Sequence, residues 1–429
     1  MRFILNLLRF FAILLVISVC YDTSLLAQES SPLRIEVTKL GADPTGRSES
    51  TIVLQNALEA APEGGTVFFP AGTYKIRRQL ATVRGNVTIE GEGEQSVIEQ
   101  VSDSPDGNGL SIRHDGVTVR NLKIRSVQRL RDHGAGILIR NPETRKGDVR
   151  VIYNTLITNV VVEGFRYGIT GSLLKSVRVE NNRVMVGTKS FEAKQRGSCI
   201  EVSGDDMVIR DNVLGTLEAA VAEHNIYIAG GAGKSEERRN IQILNNTCGG
   251  KKCSCGIQAY NASWSNLTIE GNRIDMAGGG MHGILVGFSP GGSPVVERIN
   301  IIGNTIENVS SPSANSGNGI TLFVFAGKAI AIEKNTIRNT SNAAIRFIPS
   351  DEGTGVDSFA IRDNTFESWS VGNKGKFPAV LLHSWSGSSI MANGVVERNI
   401  YRPGVGGAEK VKLNNRDKTR YRNLQVLDR

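Results

Sequence analysis

The sequence predicts an all-β solenoid, and three observations carry that prediction. A pattern of apolar, any, apolar, two polar, Asn, any and apolar recurs along the chain, as in "VRVENNRV", "IQILNNTC", "LTIEGNRI", "INIIGNTI" and "FAIRDNTF". Its asparagines fall at Asn182, Asn212, Asn246, Asn272, Asn304, Asn335 and Asn364, with spacings of 30, 34, 26, 32, 31 and 29 residues. That period suits one supersecondary unit per repeat and is too irregular for a coiled coil. A second strand of the form Gly-Ile-any-apolar precedes each unit, as in "GILI" at 136, "NIYI" at 225, "GIQA" at 256 and "GILV" at 283. Period-two alternation on both sides of each Asn indicates short strands bent at a turn with one face buried. Stacked asparagines at such a bend can bond to one another and to backbone.

In chain order, residues 1–27 read as an export signal: Arg2 and Arg9 flank an apolar run, and Ala27 offers a small residue for cleavage. The run is short for a membrane span. Cys20 suggests a lipoprotein, against which Val19 before it is bulky. Removing this segment takes away two arginines and one aspartate, so the formal charge falls from +8 to +7. A basic exported chain favours an acidic polysaccharide over nucleic acid as partner, and no stable membrane insertion is expected after cleavage. The remaining cysteines, Cys199, Cys248, Cys253 and Cys255, are disulfide candidates in an oxidising compartment; the spacing of "CGGKKCSC" matches no standard zinc pattern.

Residues 28–75 hold a capping helix and the first strand. "SESTIVLQNALEAA" offers Ser48 or Ser50 as N-cap, an apolar set at Ile52, Leu54, Ala57, Leu58 and Ala61, and Pro62 followed by glycines as a stop. Such a helix covers the open end of a solenoid core. Residues 76–403 supply about ten coils, and the basic segment 404–429 is expected as a tail or opposite cap.

The stretch "KLGADPTGRSESTIVLQNALEAAPEGGTVFFPAGTYKI", followed by "NVTIEGEGEQSVIE", resembles the opening of the pectate lyase and polygalacturonase-like superfamily. The resemblance covers about residues 39–98 and implies a right-handed parallel β-helix. Lyases, hydrolases, epimerases and tailspikes share that fold, so it does not name a reaction.

In a parallel solenoid, equivalent residues stack about 4.8 Å apart. The outward column therefore runs Ser111, Leu138, Thr170, Glu201, Tyr227, Gln258, Leu285, Thr321 and Arg346. Two positions on, a second column holds Arg113, Arg140, Ser203, Ala229, Tyr260 and Phe323. The middle coils thus gather Glu201, Tyr227, Gln258 and Tyr260, with His224 and His282 at the bends before their strands and Arg196 and Glu223 close by. Strict alternation puts both histidines at inward positions.

Within the resembling superfamily, polygalacturonases use three aspartates, a Gly-His-Gly element and an Arg-Ile-Lys element. "MHGILVG" puts His282, and "AIRFI" puts Arg346, in the matching strand phase. No Asn-Thr-Asp counterpart exists, Asp205 and Asp206 follow their strand, and Ile348 replaces the lysine. β-Elimination fits these residues better: a base for the C5 proton, an acid for the leaving oxygen and a cation on the uronate. His224, Tyr227, His282 and Glu201 are the expected catalytic set, and Arg196, Glu223, Gln258, Tyr260 and Arg346 the substrate-binding set. Glu201 is also a candidate Ca²⁺ ligand, since several lyases of the superfamily use that ion. The expected function is an exported lyase of an acidic polysaccharide. A glycoside hydrolase and a non-catalytic glycan-binding or adhesion protein are the alternatives. The long segments "SSPSANSGNG" and "IPSDEGTGVDS" are expected as groove walls.

Overall fold

The chain is a right-handed parallel β-helix in a computed structural model. The structure describes residues 33–428 apart from 103–106, 128–133, 143–149, 188–196, 218–220, 231–235, 251–252, 278, 289–294, 314, 350–354, 374, 384–388, 405–408 and 415–416. The signal segment 1–27 and Arg196 lie outside the described residues, as does part of "IPSDEGTGVDS". No helix among the described residues is long and apolar enough to cross a membrane.

Two parallel sheets wrap one apolar core. The larger follows the Asn repeat, its strands bending at each asparagine. The smaller, of 13 strands, is built from the Gly-Ile rungs, including Ala135–Ile139, Tyr167–Lys175, Ser198–Asp205, Ala222–Ala229, Cys253–Tyr260, His282–Gly287, Asn318–Val324 and Ile345–Pro349. Its register pairs Thr170 with Glu201, Glu201 with Tyr227, Tyr227 with Gln258, Gln258 with Leu285, Leu285 with Thr321 and Thr321 with Arg346. The outward column predicted from alternation is therefore the column of the fold.

The asparagine repeat forms a buried ladder. Each Nδ2 donates to the next Oδ1 at 2.9–3.0 Å from Asn182 through Asn364, and Asn399 extends it. The backbone N–H of each asparagine donates to that same oxygen, so one side chain satisfies the turn of its neighbour. The residue before each ladder asparagine has positive φ: Asn181, Asp211, Asn245, Gly271, Gly303, Lys334, Asp363 and Arg398. Asn, Asp and Gly tolerate the left-handed region best, which is why six of these eight residues are Asn, Asp or Gly, with Lys334 and Arg398 the exceptions.

The helix spans Thr51–Ala60 and buries Leu54, Ala57 and Leu58, with Ala61 behind it. Ile52, expected on that face, is 61% exposed. Two residues before Leu54 at about 100° each, it lies on the side of the helix opposite the Leu54–Leu58 stripe, toward solvent. Ser50 holds the N-cap position, but its hydroxyl accepts from the Asp43 N–H instead of capping the helix. The segment 404–429 continues the sheets: Val411–Leu413 pairs with Val380–Leu382, and Tyr421–Arg422 and Gln425–Val426 pair with Ile390–Glu397.

Candidate active site

The site lies on the 13-stranded sheet, where one break in alternation builds it. On the rung Ala222–Ala229, Asn225 and Ile226 are both fully buried. Asn225 donates to the Gly249 carbonyl and to Cys199 Sγ on the core side. Two successive inward residues return His224 and Tyr227 to the same outer face. The inward position before each Ile is crowded: a Cβ on Gly256 would lie 2.5 Å from Ile274 Cγ2, and one on Gly283 would lie 2.4 Å from Ile306 Cγ2. Gly283 therefore allows the same geometry at His282. The inward placement of His224 and His282 expected from strict alternation is corrected by this doubled inward step.

The residues preceding the crowded position form a second column, in which Ser198 pairs with His224, His224 with Cys255, and Cys255 with His282. Together with the Glu201 column it encloses a cavity of about 520 Å³, walled by Arg166, Tyr167, Glu201, Glu223, His224, Tyr227, Gln258, Tyr260 and His282 among others. The structure thus gathers seven of the predicted residues: Glu201, Glu223, His224, Tyr227, Gln258, Tyr260 and His282.

Glu201 is the electrostatic centre. Its carboxylate accepts from the Ser198 hydroxyl at 2.9 Å, and Ser198 Oγ lies 3.4 Å from His224 Nδ1. Burial raises the Glu201 carboxyl above the usual range and the charge of Glu223 adds to this, against the Ser198 hydrogen bond and Arg166. Burial also pushes the Tyr227 phenol to about 12, helped by Glu201 and Glu223. The His224 ring stacks on Tyr227. His282 Nδ1 contacts Thr321 Oγ1 at 2.9 Å, and burial, then Arg346, lower its pKa to about 4. His282 is therefore neutral near pH 7.

Arg346 does not line this cavity. It sits two rungs beyond His282, is 5% exposed, and donates to Asn315 Oδ1 at 3.2 Å. The loop "SSPSANSGNG" thus covers an arginine. Asp205 and Asp206 stay on an outer turn, bonded to the Arg239 N–H and to Asn240.

The disulfide expectation is corrected, since Cys199, Cys248, Cys253 and Cys255 are all free thiols. Cys255 lines the cavity while Cys199, Cys248 and Cys253 belong to the core. Cys253 Sγ donates to the Cys255 carbonyl at 3.1 Å and Cys199 Sγ to the Gly215 carbonyl at 3.2 Å. Among the described residues no group of three or more His, Cys, Asp or Glu is arranged to hold a metal ion. Glu201, bonded to Ser198, and Glu223 are two carboxyls and do not by themselves make the oxygen cage Ca²⁺ requires.

The sequence profile described as rhamnogalacturonase A/epimerase, pectate lyase-like matches residues 34–282, more than half of the chain. The chain belongs to this family. The match takes in the cavity residues from Arg166 to His282 and stops short of Arg346. Among curated proteins, an exopolygalacturonase of Zea mays is 30% identical over 141 residues, which are 32% of this chain and 33% of the maize protein. The match thus spans about a third of the curated relative's length. Two solved structures share the fold. The mannuronan C-5 epimerase AlgE4 A-module of Azotobacter vinelandii has a TM-score of 0.60 at 15% identity, covering 91% of this chain and 99% of that one. An exopolygalacturonase from Thermotoga maritima has a TM-score of 0.60 at 12% identity, covering 86% and 91%.

Sequence reasoning about this pectate lyase-like chain missed Arg166, Tyr167 and Ser198. The Arg166 guanidinium lies 5.0 Å from the Tyr167 ring centroid, and Ser198 joins Glu201 to His224. A signal was present: Tyr167 and Ser198 occupy the position before an inward Gly or Cys, as His224 and His282 do before Asn and Gly. Chemically, the cavity offers two carboxyls whose environments push one toward its protonated form, a neutral imidazole, phenols and an arginine. That set can deliver a proton to a glycosidic oxygen and receive one from water.

Proposed function

We propose that this chain is an exported glycoside hydrolase acting on a uronate-containing polysaccharide. The observation that carries the reading is the Glu201–Glu223 pair in one cavity, with Glu201 raised by burial and by its neighbour. Hydrolysis needs an acid that holds its proton and a second carboxylate that does not. Glu201 donates its proton to the glycosidic oxygen as the C–O bond breaks. Glu223 takes a proton from the water whose oxygen bonds to the anomeric carbon. Tyr227, Tyr260 and Gln258 supply ring faces and hydrogen bonds for the sugar, and Arg166 a cation. Membership of the family and the exopolygalacturonase among its relatives support a hydrolase over the lyase expected from sequence. The N-terminal signal pattern supports export.

The test follows reducing ends and the ultraviolet absorbance of unsaturated uronate together, on a panel of acidic polysaccharides. Reducing ends without absorbance are expected. A parallel rise in absorbance would replace hydrolysis by β-elimination, a second reading favoured by the His224–Tyr227 stack beside neutral His282. Binding with neither signal would make the chain a glycan-binding protein.

A further inference from the structure

Glu201 belongs to two cavities at once. On the side away from Glu223 a second cavity of about 320 Å³ opens, at the small end of ligand-pocket sizes. It is walled by the two preceding rungs, by Val202 and Ser203 of Glu201's own rung and by Ala229 of the next, and among the described residues Glu201 alone lines both spaces. The two therefore run diagonally across the sheet and meet at the proposed acid.

Their chemistry differs. The first cavity holds Glu201 and Glu223 together. In the second, Glu201 is the single carboxyl among the described lining residues, accompanied by Arg140 and the hydroxyls of Thr170, Ser172 and Ser203. Arg140 is exposed and has no carboxylate partner among the described residues. Ser203 Oγ accepts from Arg238 Nη2 at 3.2 Å, which turns its own O–H outward from that bond. A guanidinium and an oriented hydroxyl form a donor set for a carboxylate. In the first cavity the Arg166 guanidinium stands with two acids, Glu201 and Glu223, instead of one. An acid catalyst must also have a sugar on each side of it.

We propose that Glu201 stands between two sugar subsites, and that the second takes a uronic acid whose carboxylate is bound by Arg140 with the Ser203 hydroxyl. This rests on the glycan-cleaving reading above. Arg140 then sets specificity for the acidic sugar on one side of the broken bond, while the first cavity accepts the other unit through Tyr227 and Tyr260.

The test uses calorimetric binding in the full mature chain carrying Glu201→Gln, which slows turnover. The probes are an oligogalacturonate and the same oligomer with its carboxyls reduced. Adding Arg140→Gln should weaken oligogalacturonate binding about tenfold or more and leave the reduced oligomer unaffected. Arg140→Lys should recover part of the loss. Because Arg140 is exposed, these changes leave the core intact. Equal oligogalacturonate affinity with and without Arg140 overturns this proposal while the hydrolase reading stands. An E201Q chain that binds neither oligomer overturns both.

Discussion

His224 and Tyr227 stack with ring centroids 4.6 Å apart and planes inclined by 21°, although they lie three positions apart on one strand. In a regular strand such a pair points to opposite faces. The doubled inward step at Asn225 and Ile226 cancels the odd spacing. The stack presents one aromatic wall to the cavity, and the Ser198 hydroxyl ties its imidazole to Glu201.

Glu201→Gln and Glu223→Gln should each lower kcat by roughly 10²–10⁴-fold, read as reducing ends released per minute. Burial raises the Glu201 pKa, so its charged form is disfavoured in the folded chain and stability falls as pH rises through the folded-state value. Glu201→Gln should therefore melt at a higher temperature than wild type at neutral pH. A lower melting temperature would contradict the assignment of Glu201 as a buried acid.

His282 titrates in the opposite sense. Its folded pKa is lowered to about 4 from 6.5, so the unfolded chain binds more protons between those values. That stability is present above pH 6.5 and lost as pH falls toward 4. Melting curves across this window should flatten in His282→Gln. An unchanged slope would mean that His282 is charged or exposed in solution.

Asn304→Ala should destabilise the fold by about 1–3 kcal/mol, because it leaves the buried backbone N–H of Asn272 without an acceptor. Asn272 Nδ2 loses the same oxygen but keeps the Ile243 and Glu270 carbonyls. Chemical denaturation measures the loss. A change below about 0.5 kcal/mol would show that water replaces the ladder oxygen.

The thiols give a simple chemical check. Burial raises the Cys199 thiol to about 11 and pushes Cys248 and Cys253 well up, with neighbouring thiols adding to the latter two. Thiolate is the reactive form. Alkylating reagents should therefore leave these residues untouched in the folded protein and label them fully after denaturation without reductant. Mass spectrometry showing a reductant-dependent pair would restore a disulfide.

By itself the sequence determined the solenoid, its period, the asparagine turns and the column through Thr170, Glu201, Tyr227 and Gln258. These follow from local rules: period-two alternation, the left-handed residue before each asparagine, and a parallel register that repeats once per coil. It also pointed to Glu223 and Tyr260 as neighbours of that column. Only the tertiary structure decided which way His224 and His282 face. Their orientation depends on crowding between the inward Asn225 or Gly283 and the facing wall of the core, a contact between ladders that no spacing along one strand encodes. The same holds for Ser198 beside His224, for the raised carboxyl of Glu201, and for the second cavity at Arg140. Each needs side chains from different coils at hydrogen-bond or electrostatic range, and that distance is set by packing across the sheet.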